Sequence, residues 1–491
     1  MYFLGIDVGT SGSRAVIVDG SGSVSGTAAE GHEPFRSPRG GWAEQDPDDW
    51  WRASSLAIQR AIKDAGVDPD AIGSVSFSGQ MHGAVLLGGD GRPLAPSIIW
   101  CDNRAVEECR ELTENVGAKR LIQLVSNPAL PNFTLPKLLW ARKHWPEVWE
   151  GVRTVTLPKD YVRTRLSGDR SLDLADGSGT LMLDVVQRSW SQEILEDAEI
   201  ERSLLPDLVE SPEITGEVSR SASRETGLRQ GTPVVAGAGD NAAAAIGMGI
   251  VRPGDVSVTV GTSGVVFAAT EAPKTDPLGR IHTLCHAIPK TWQVTGVTQA
   301  AGLSFQWFRD TLASGRSYGD LTAEASMIPP GAEGLLWAPY LMGERTPHID
   351  PNARASLIGL STRHTRGHIV RAILEGVAFS LRDCIEIFRE VGIPIERIRL
   401  GGGGARSALW RQIQADIYGH QVEIVEADEG AAFGAAILAG VGAGHWSSVP
   451  EACERSIRVA EQIDPDKENS SLLGERYEQF RKIYGALKEV K

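Results

Sequence analysis

Tyr2-Phe3-Leu4-Gly5-Ile6-Asp7-Val8-Gly9-Thr10-Ser11-Gly12-Ser13-Arg14-Ala15-Val16-Ile17-Val18 opens this chain. Residues 2–8 read as a buried strand, 9–13 as a turn and 14–18 as the returning strand, so the segment is a β-hairpin. It is not a P-loop, which needs Gly-x-x-x-x-Gly-Lys-Ser/Thr and a helix directly after the loop. The tetrapeptide Gly-Thr-Ser-Gly recurs at Gly261-Thr262-Ser263-Gly264, again between β-branched apolar runs, 256–260 and 265–269. For a single copy, an ordinary hairpin whose glycines only supply positive φ is the default reading. Two copies, about 250 residues apart, point instead to two homologous halves that offer glycine-rich turns to one ligand. Such turns expose backbone N–H groups with no Cβ in the way, and the Thr and Ser hydroxyls add donors, which suits phosphate oxygens.

At 491 residues the chain exceeds one ordinary core and fits two or three domains. Its 42% hydrophobic and 23% charged residues, with 55 glycines, describe a soluble α/β protein with many tight turns. No apolar run approaches the roughly 20 residues that span a bilayer. With no basic leader or small-residue cleavage site, a cytoplasmic location is expected. The formal net charge of -14 leaves no excess of cations to displace counterions, which argues against nucleic acid or an anionic membrane as partner. The five cysteines, at 101, 109, 285, 384 and 453, show no metal-ligand spacing and read as reduced thiols, with zinc not expected.

Along the first half, β runs alternate with helical patterns, which implies a mixed sheet covered by helices. Residues 46–65 carry helical periodicity with Pro47 near the start, and 72–78 read as a buried strand. Residues 84–87 and 94–100 form a hairpin-like pair about the turn at 88–91, and 135–145 and 190–198 are helical in pattern. A new unit is expected near Thr232, where a strand ends in glycines before Asp240, Asn241 and a helix. Residues 366–391 read as a long amphipathic helix, 398–400 as a strand, 401–404 as a glycine run opening into a helix at 407–417, and 472–490 as a terminal helix.

Three glycine-rich strand ends together can surround a nucleotide, two holding phosphates and the third, at a helix N-terminus, supporting base or ribose. Asp7 and Asp240 each stand at the C-terminal end of a predicted strand, where ligands gather in open α/β sheets. Such positions suit a magnesium ligand and a base that takes a proton from an attacking hydroxyl. Singly, each reads more often as a turn or helix-cap residue.

Gly5-Ile6-Asp7-Val8-Gly9-Thr10-Ser11 and Gly239-Asp240-Asn241 resemble the FGGY carbohydrate kinases, a family of the actin-like ATPase fold. Phe133-Thr134-Leu135-Pro136-Lys137-Leu138-Leu139-Trp140 and the stretch from Gly359-Leu360 through His368-Ile369 to Phe379 are similar to that family's signatures. The resemblance runs over nearly the whole chain. It implies an α/β fold of two actin-like (ribonuclease H-like) domains, 1–239 and 240–491, with a cleft between them. Ser78-Gly79-Gln80-Met81-His82-Gly83 is similar to the sugar-binding segment of members that phosphorylate D-xylulose, and Trp100 to Arg104, Leu157 to Tyr161 and Gly343 to His348 also resemble those members, with no role attached to them. The chain departs at Asn132, where bacterial members of that kind tend to carry Gly, and at Ile349.

The resemblance implies ATP-dependent phosphorylation of D-xylulose to D-xylulose 5-phosphate, with Mg2+. Asp240 would be the catalytic base and Asn241 would hold a neighbouring hydroxyl. Met81 and His82 would line the sugar site. Asp7 would help hold magnesium. Thr10, Ser11, Arg14, Gly261 and Thr262 would meet the phosphates, Gly302 and Gln306 would border the nucleotide, and Gly403, Gly404 and Ser407 would contact adenosine. The family also points to a homodimer. Bland readings stand beside these: His82 as a structural histidine satisfied by backbone, Arg14 as a surface ion-pair residue, Trp307 as packing on an apolar helix face. A kinase for a related ketose or pentitol, and a nucleotide-dependent binding module on the same fold, remain the alternatives.

Overall fold

The computed structural model describes residues 1–426 and 430–488. Two seven-stranded mixed sheets organise them. In the first, Ile214–Glu217, Pro233–Val235, Ile72–Gly79, Tyr2–Val8, Gly12–Asp19 and Val24–Gly31 lie in that order, and Ala238–Gly239 also pairs with Ile72–Gly79. In the second the order is His282–Cys285, Trp292–Thr298, Gly264–Thr270, Asp255–Val260, Arg397–Gly402, Val422–Val425 and Val459–Ile463. Each sheet is built on the same plan. A hairpin closed by Gly-Thr-Ser-Gly adds an antiparallel strand on its outgoing side and a parallel strand on its incoming side.

The opening strand shows why the apolar run is continuous. Leu4, Ile6 and Val8 face a core with Trp50, Ile58 and Phe77, while Phe3 faces the other way, against Trp446 and Ile437. Both faces are buried, so the alternation of side chains leaves no polar stripe. Helix Pro47–Ala65, capped by Asp46, covers the first face. Helix Gly430–Gly442 covers the second, and at Gly5 its backbone comes so close that a Cβ would lie 2.0 Å from the Ala432 carbonyl oxygen. That helix also packs on helix Asp240–Gly247, where a Cβ on Gly434 would lie 1.8 Å from the Ala243 carbonyl oxygen. A segment from late in the chain therefore leans on the first sheet.

Three expectations change. Residues 84–87 and 94–100 do run antiparallel about the turn, through the bridges Ala84 to Ile98 and Leu87 to Pro93 and the Leu94 N–H donating to the Leu86 carbonyl at 2.9 Å, but the ladder is broken: Val85–Leu87 pairs along its length with Thr154–Thr156 and Ser97–Ile98 with Glu44–Gln45. Pro93 and Pro96 lack the N–H groups a continuous ladder needs. No new unit starts at Thr232, because Pro233–Val235 and Ala238–Gly239 complete the first sheet. The 190–198 segment is a short strand, Ser189–Trp190, followed by helix Gln192–Asp197. The terminal helix spans Lys467–Leu487, with residues 489 and 490 of the expected range outside the described residues. All five cysteines are free, four of them buried, and among the described residues no helix is long and apolar enough to cross a membrane.

Candidate active site

Asp7 stands one residue before the end of its strand, opposite Arg14 in the antiparallel register and opposite Ser78 in the parallel one. Its Oδ1 is buried without a hydrogen-bond partner among the described residues. Burial raises its pKa, opposed by Ser78 and by the Arg14 charge. The adjoining turn is tightly braced. Gly9 N–H donates to the Gly12 carbonyl at 3.0 Å. Gln45 Nε2 donates to the Thr10 carbonyl at 2.7 Å, Gln80 Nε2 donates to Gln45 Oε1 at 2.9 Å, and the Trp100 indole N–H donates to Thr10 Oγ1 at 2.9 Å. Ser11 and Arg14 are exposed.

Asp240 opens helix Asp240–Gly247, directly after the two-residue strand that pairs with Ser78 and Gly79. A helix N-terminus favours a carboxylate. Here burial outweighs it and, with the nearby Asp7 charge, raises the Asp240 pKa to about 7, while the Asn241 backbone opposes the shift. Asn241 Nδ2 reaches Met81 Sδ at 3.5 Å. Met81 is buried, and it crowds Gly239 so closely that a Cβ there would lie 2.8 Å from Met81 Cγ. The structure thus brings Met81, Asp240 and Asn241 into one group.

His82 sits beside them in a left-handed conformation, φ 67°. Its Nδ1 lies 2.7 Å from the Gly179 carbonyl, its ring meets Phe133 edge-on at 4.9 Å, and its own carbonyl accepts from Lys137 Nζ at 2.8 Å. Burial depresses its pKa to about 3, helped by Lys137 and Arg345, so the imidazole is neutral. The backbone-satisfied reading holds for Nδ1 and leaves Nε2 for other use. Lys137 also donates to the Asn132 carbonyl at 2.6 Å, and Asn132 Oδ1 is buried with no partner among the described residues.

The residues expected at the nucleotide partly converge. Gly261, Thr262, Gly302, Gln306, Gly403, Gly404 and Ser407 all line one cavity of about 660 Å³. Gly302 N–H donates to the Gly261 carbonyl at 2.8 Å, so the helix Gly302–Leu312 starts against the second turn. Ser407 caps helix Ala408–Tyr418. Thr10, Ser11 and Arg14 are not in this lining, which comes wholly from the second half of the chain. Trp307 stacks on Trp337 at 5.8 Å, a packing contact as the sequence suggests.

Sequence reasoning missed the ionic floor beneath the first group. Lys159 Nζ pairs with Asp160 at 2.7 Å, Asp173 at 2.5 Å and Asp176 at 3.7 Å, all fully buried. Burial pulls the Lys159 pKa down, yet the three carboxylates outweigh it and leave it raised. Burial pushes Asp176 well up, against the pull of Lys159. The three carboxylates are close enough to share an ion, but the ammonium already stands among them. A Cβ on Gly239 would lie 3.1 Å from Asp176 Oδ1, which puts this cluster directly under the Asp240 helix start. Also missed were Arg406, Tyr318 and Trp410 in the cavity wall, which no local pattern marks.

Two glycine-hairpin sheets, a carboxylate pair at the strand ends and a separate nucleotide-sized cavity define a phosphoryl-transfer architecture. The chain matches the FGGY family of carbohydrate kinases, N-terminal domain, over residues 2–247 and the C-terminal domain of the same family over 256–443. It belongs to that family. The xylulose kinase of Bacillus subtilis (strain 168) is 38% identical over 489 residues, covering 100% of this chain and 98% of that protein. The gluconokinase of the same organism is 32% identical over 450 residues, covering 89% and 86%. The crystal structure of a "xyloylose kinase" from Brucella ovis superposes with a TM-score of 0.95 at 35% identity, covering 100% of both chains.

Proposed function

We propose that this carbohydrate kinase transfers the γ-phosphoryl group of ATP to D-xylulose, giving D-xylulose 5-phosphate, with Asp240 as the base. The observation that carries the reading is Asp240, with a pKa of about 7, grouped with Met81 and Asn241 at the end of the first sheet. A base near neutrality is ionised enough to accept the proton of the attacking hydroxyl and basic enough to hold it. Full-length kinship with xylulose kinases supports the choice of sugar.

In this reading Asn241 and His82 orient the sugar while Asp240 removes the proton from its terminal hydroxyl. Thr10, Ser11 and Arg14 on one side and Gly261 and Thr262 on the other approach the phosphates. Gly302, Gln306, Gly403, Gly404 and Ser407 hold the nucleoside. The unpartnered Asp7 Oδ1 fits a hard divalent cation, and Asp7 would hold Mg2+, which neutralises phosphate charge when bound. We assign residues 1–239 to a sugar-binding domain and 240–491 to a nucleotide-binding domain. Closing one over the other aligns donor and acceptor and excludes water.

A second reading, a kinase for an acid sugar, draws on the gluconokinase relative and on Arg345. Burial lowers the pKa of this guanidinium, and no ion pair of its own is present among the described residues. ADP release with Mg-ATP decides between them, using D-xylulose beside ribulose, fructose, xylitol, arabitol, glycerol and gluconate. Selective turnover of D-xylulose is expected; preference for gluconate would overturn the assignment.

A further inference from the structure

His282 comes from the edge strand His282–Cys285 of the second sheet, yet it borders the same aromatic ring as His82 of the first half. Phe133 is 1% exposed and meets His82 at 4.9 Å and His282 at 5.6 Å, both rings edge-on. The edge strand is held there by the first half. Asn127 Nδ2 donates to the Val125 carbonyl at 3.0 Å and the Thr283 carbonyl at 2.9 Å, and Cys285 N–H donates to Ser178 Oγ at 3.0 Å.

These bonds assign the proton on each imidazole. With its amide group donating to two carbonyls, Asn127 presents Oδ1 as an acceptor, which takes Thr283 N–H at 3.2 Å and faces His282 Nδ1 at 3.2 Å. Nδ1 of His282 therefore carries the hydrogen. The Gly179 carbonyl imposes the same tautomer on His82. Burial, with Arg345 contributing to both, depresses the two pKa values to about 3, so neither ring is protonated at neutral pH. Both Nε2 atoms are bare acceptors, and neither has a hydrogen-bond partner among the described residues. The charge of Arg345 discourages a metal ion at this pair. Aliphatic hydroxyls remain as the donors that suit it.

We propose that His82 and His282 accept hydrogen bonds from two hydroxyls of the bound sugar, away from the one attacked, so that specificity is read by both halves at once. This rests on the reading that the site holds a sugar. His282, absent from every motif the sequence displays, is then a specificity-determining residue, and it engages its hydroxyl only while the edge strand stays docked on Asn127 and Ser178.

The test compares wild type, His282→Leu and His282→Gln on D-xylulose and its monodeoxy analogues. His282→Leu is expected to raise the sugar KM about tenfold or more, with kcat within about threefold and the KM for ATP unchanged. His282→Gln, which restores an acceptor, recovers part of the loss. One analogue, lacking the hydroxyl that His282 reads, is used equally by wild type and His282→Leu. An identical penalty on the parent sugar and every analogue, or no penalty at all, would overturn the proposal. If His282→Leu fails to fold, His282→Asn, which keeps a donor for Asn127 and withdraws the acceptor, carries the same comparison. Failure of wild type to use D-xylulose sinks the substrate assignment instead, and the comparison moves to whichever sugar is turned over.

Discussion

Asn127 and Thr283 lie in different halves of the chain and exchange two hydrogen bonds, Nδ2 to the Thr283 carbonyl at 2.9 Å and Thr283 N–H to Oδ1 at 3.2 Å. The carboxamide thus completes the open edge of strand His282–Cys285 with a side chain in place of another strand. Asn127 is fully buried. Asn127→Ala leaves two backbone groups of the edge strand unsatisfied, and a loss of about 2–3 kcal/mol is expected in urea unfolding. Because His282 Nδ1 loses its acceptor too, the sugar KM should rise while the KM for ATP holds. A variant as stable as wild type would show that solvent replaces the tie.

The pH dependence follows from Asp240 and Asp7. With the Asp240 pKa raised to about 7, kcat/KM should climb through that value and level off above it, since only the ionised carboxylate accepts a proton. The Asp7 charge contributes to the rise. Asp7→Asn should therefore shift the limb to lower pH, by less than about one unit, while raising the Mg2+ concentration needed for half activity about tenfold or more. A limb that stays put in that variant would separate the two carboxylates.

Gly302→Ala tests the proposed nucleotide side on its own. A Cβ there would lie 2.3 Å from the Gly261 carbonyl oxygen, which is backbone and cannot swing aside. The second turn must shift, so the KM for ATP should rise about tenfold or more with the sugar KM unchanged. Equal loss on both substrates would indicate general unfolding, which a thermal melt resolves.

Both hairpins were legible because each has a local signature, a β-branched run ending in glycine and a small polar turn. Gly403, Gly404 and the helix start at Ser407 were legible as a glycine run opening a helix, a local event, whereas Gly302 and Gln306 were marked only by the resemblance to the family. The floor under Asp240 was not legible. Lys159 lies in a segment that the resemblance marks, but its meeting with Asp173 and Asp176 comes from tertiary folding, and no local pattern shows it. His282 lies in a four-residue edge strand whose pairing and orientation depend on Asn127, 155 positions away. In the 84–100 region the hairpin-like pairing was legible from two apolar runs about a glycine turn, but not its broken ladder, which follows from the prolines and from partners distant in sequence.

Lys159 makes the buried floor testable. Removing the ammonium leaves Asp160, Asp173 and Asp176 facing one another without it, at a site where none is exposed to water. Breaking a buried pair by removing one partner costs about 3–5 kcal/mol. Lys159→Met should lose at least that much at pH 8 in urea unfolding and recover part of it at pH 5, where Asp173 and Asp176, their pKa values raised by burial, take up protons and no longer repel. A neutral effect at both values would show that Asp173 and Asp176 already hold their protons in the wild type.

Asp240, the proposed base, should be a stability cost. Asp240 is harder to ionise in the folded chain than in the unfolded one, where its pKa is about 3.9. Below about pH 4 both states are protonated and no penalty exists. Between about pH 4 and 7 the unfolded chain releases the proton while the folded chain retains it, so stability falls as pH rises; above about 7 the penalty is constant. Asp240→Asn removes the titration and keeps the shape. Its unfolding free energy should match that of wild type near pH 4 and exceed it by about 1–3 kcal/mol at pH 8. The same variant should lose phosphoryl transfer by about 10³-fold or more, because an amide cannot take the proton. Greater stability with abolished turnover identifies a strained catalytic group; near-normal turnover would remove Asp240 from the chemistry altogether.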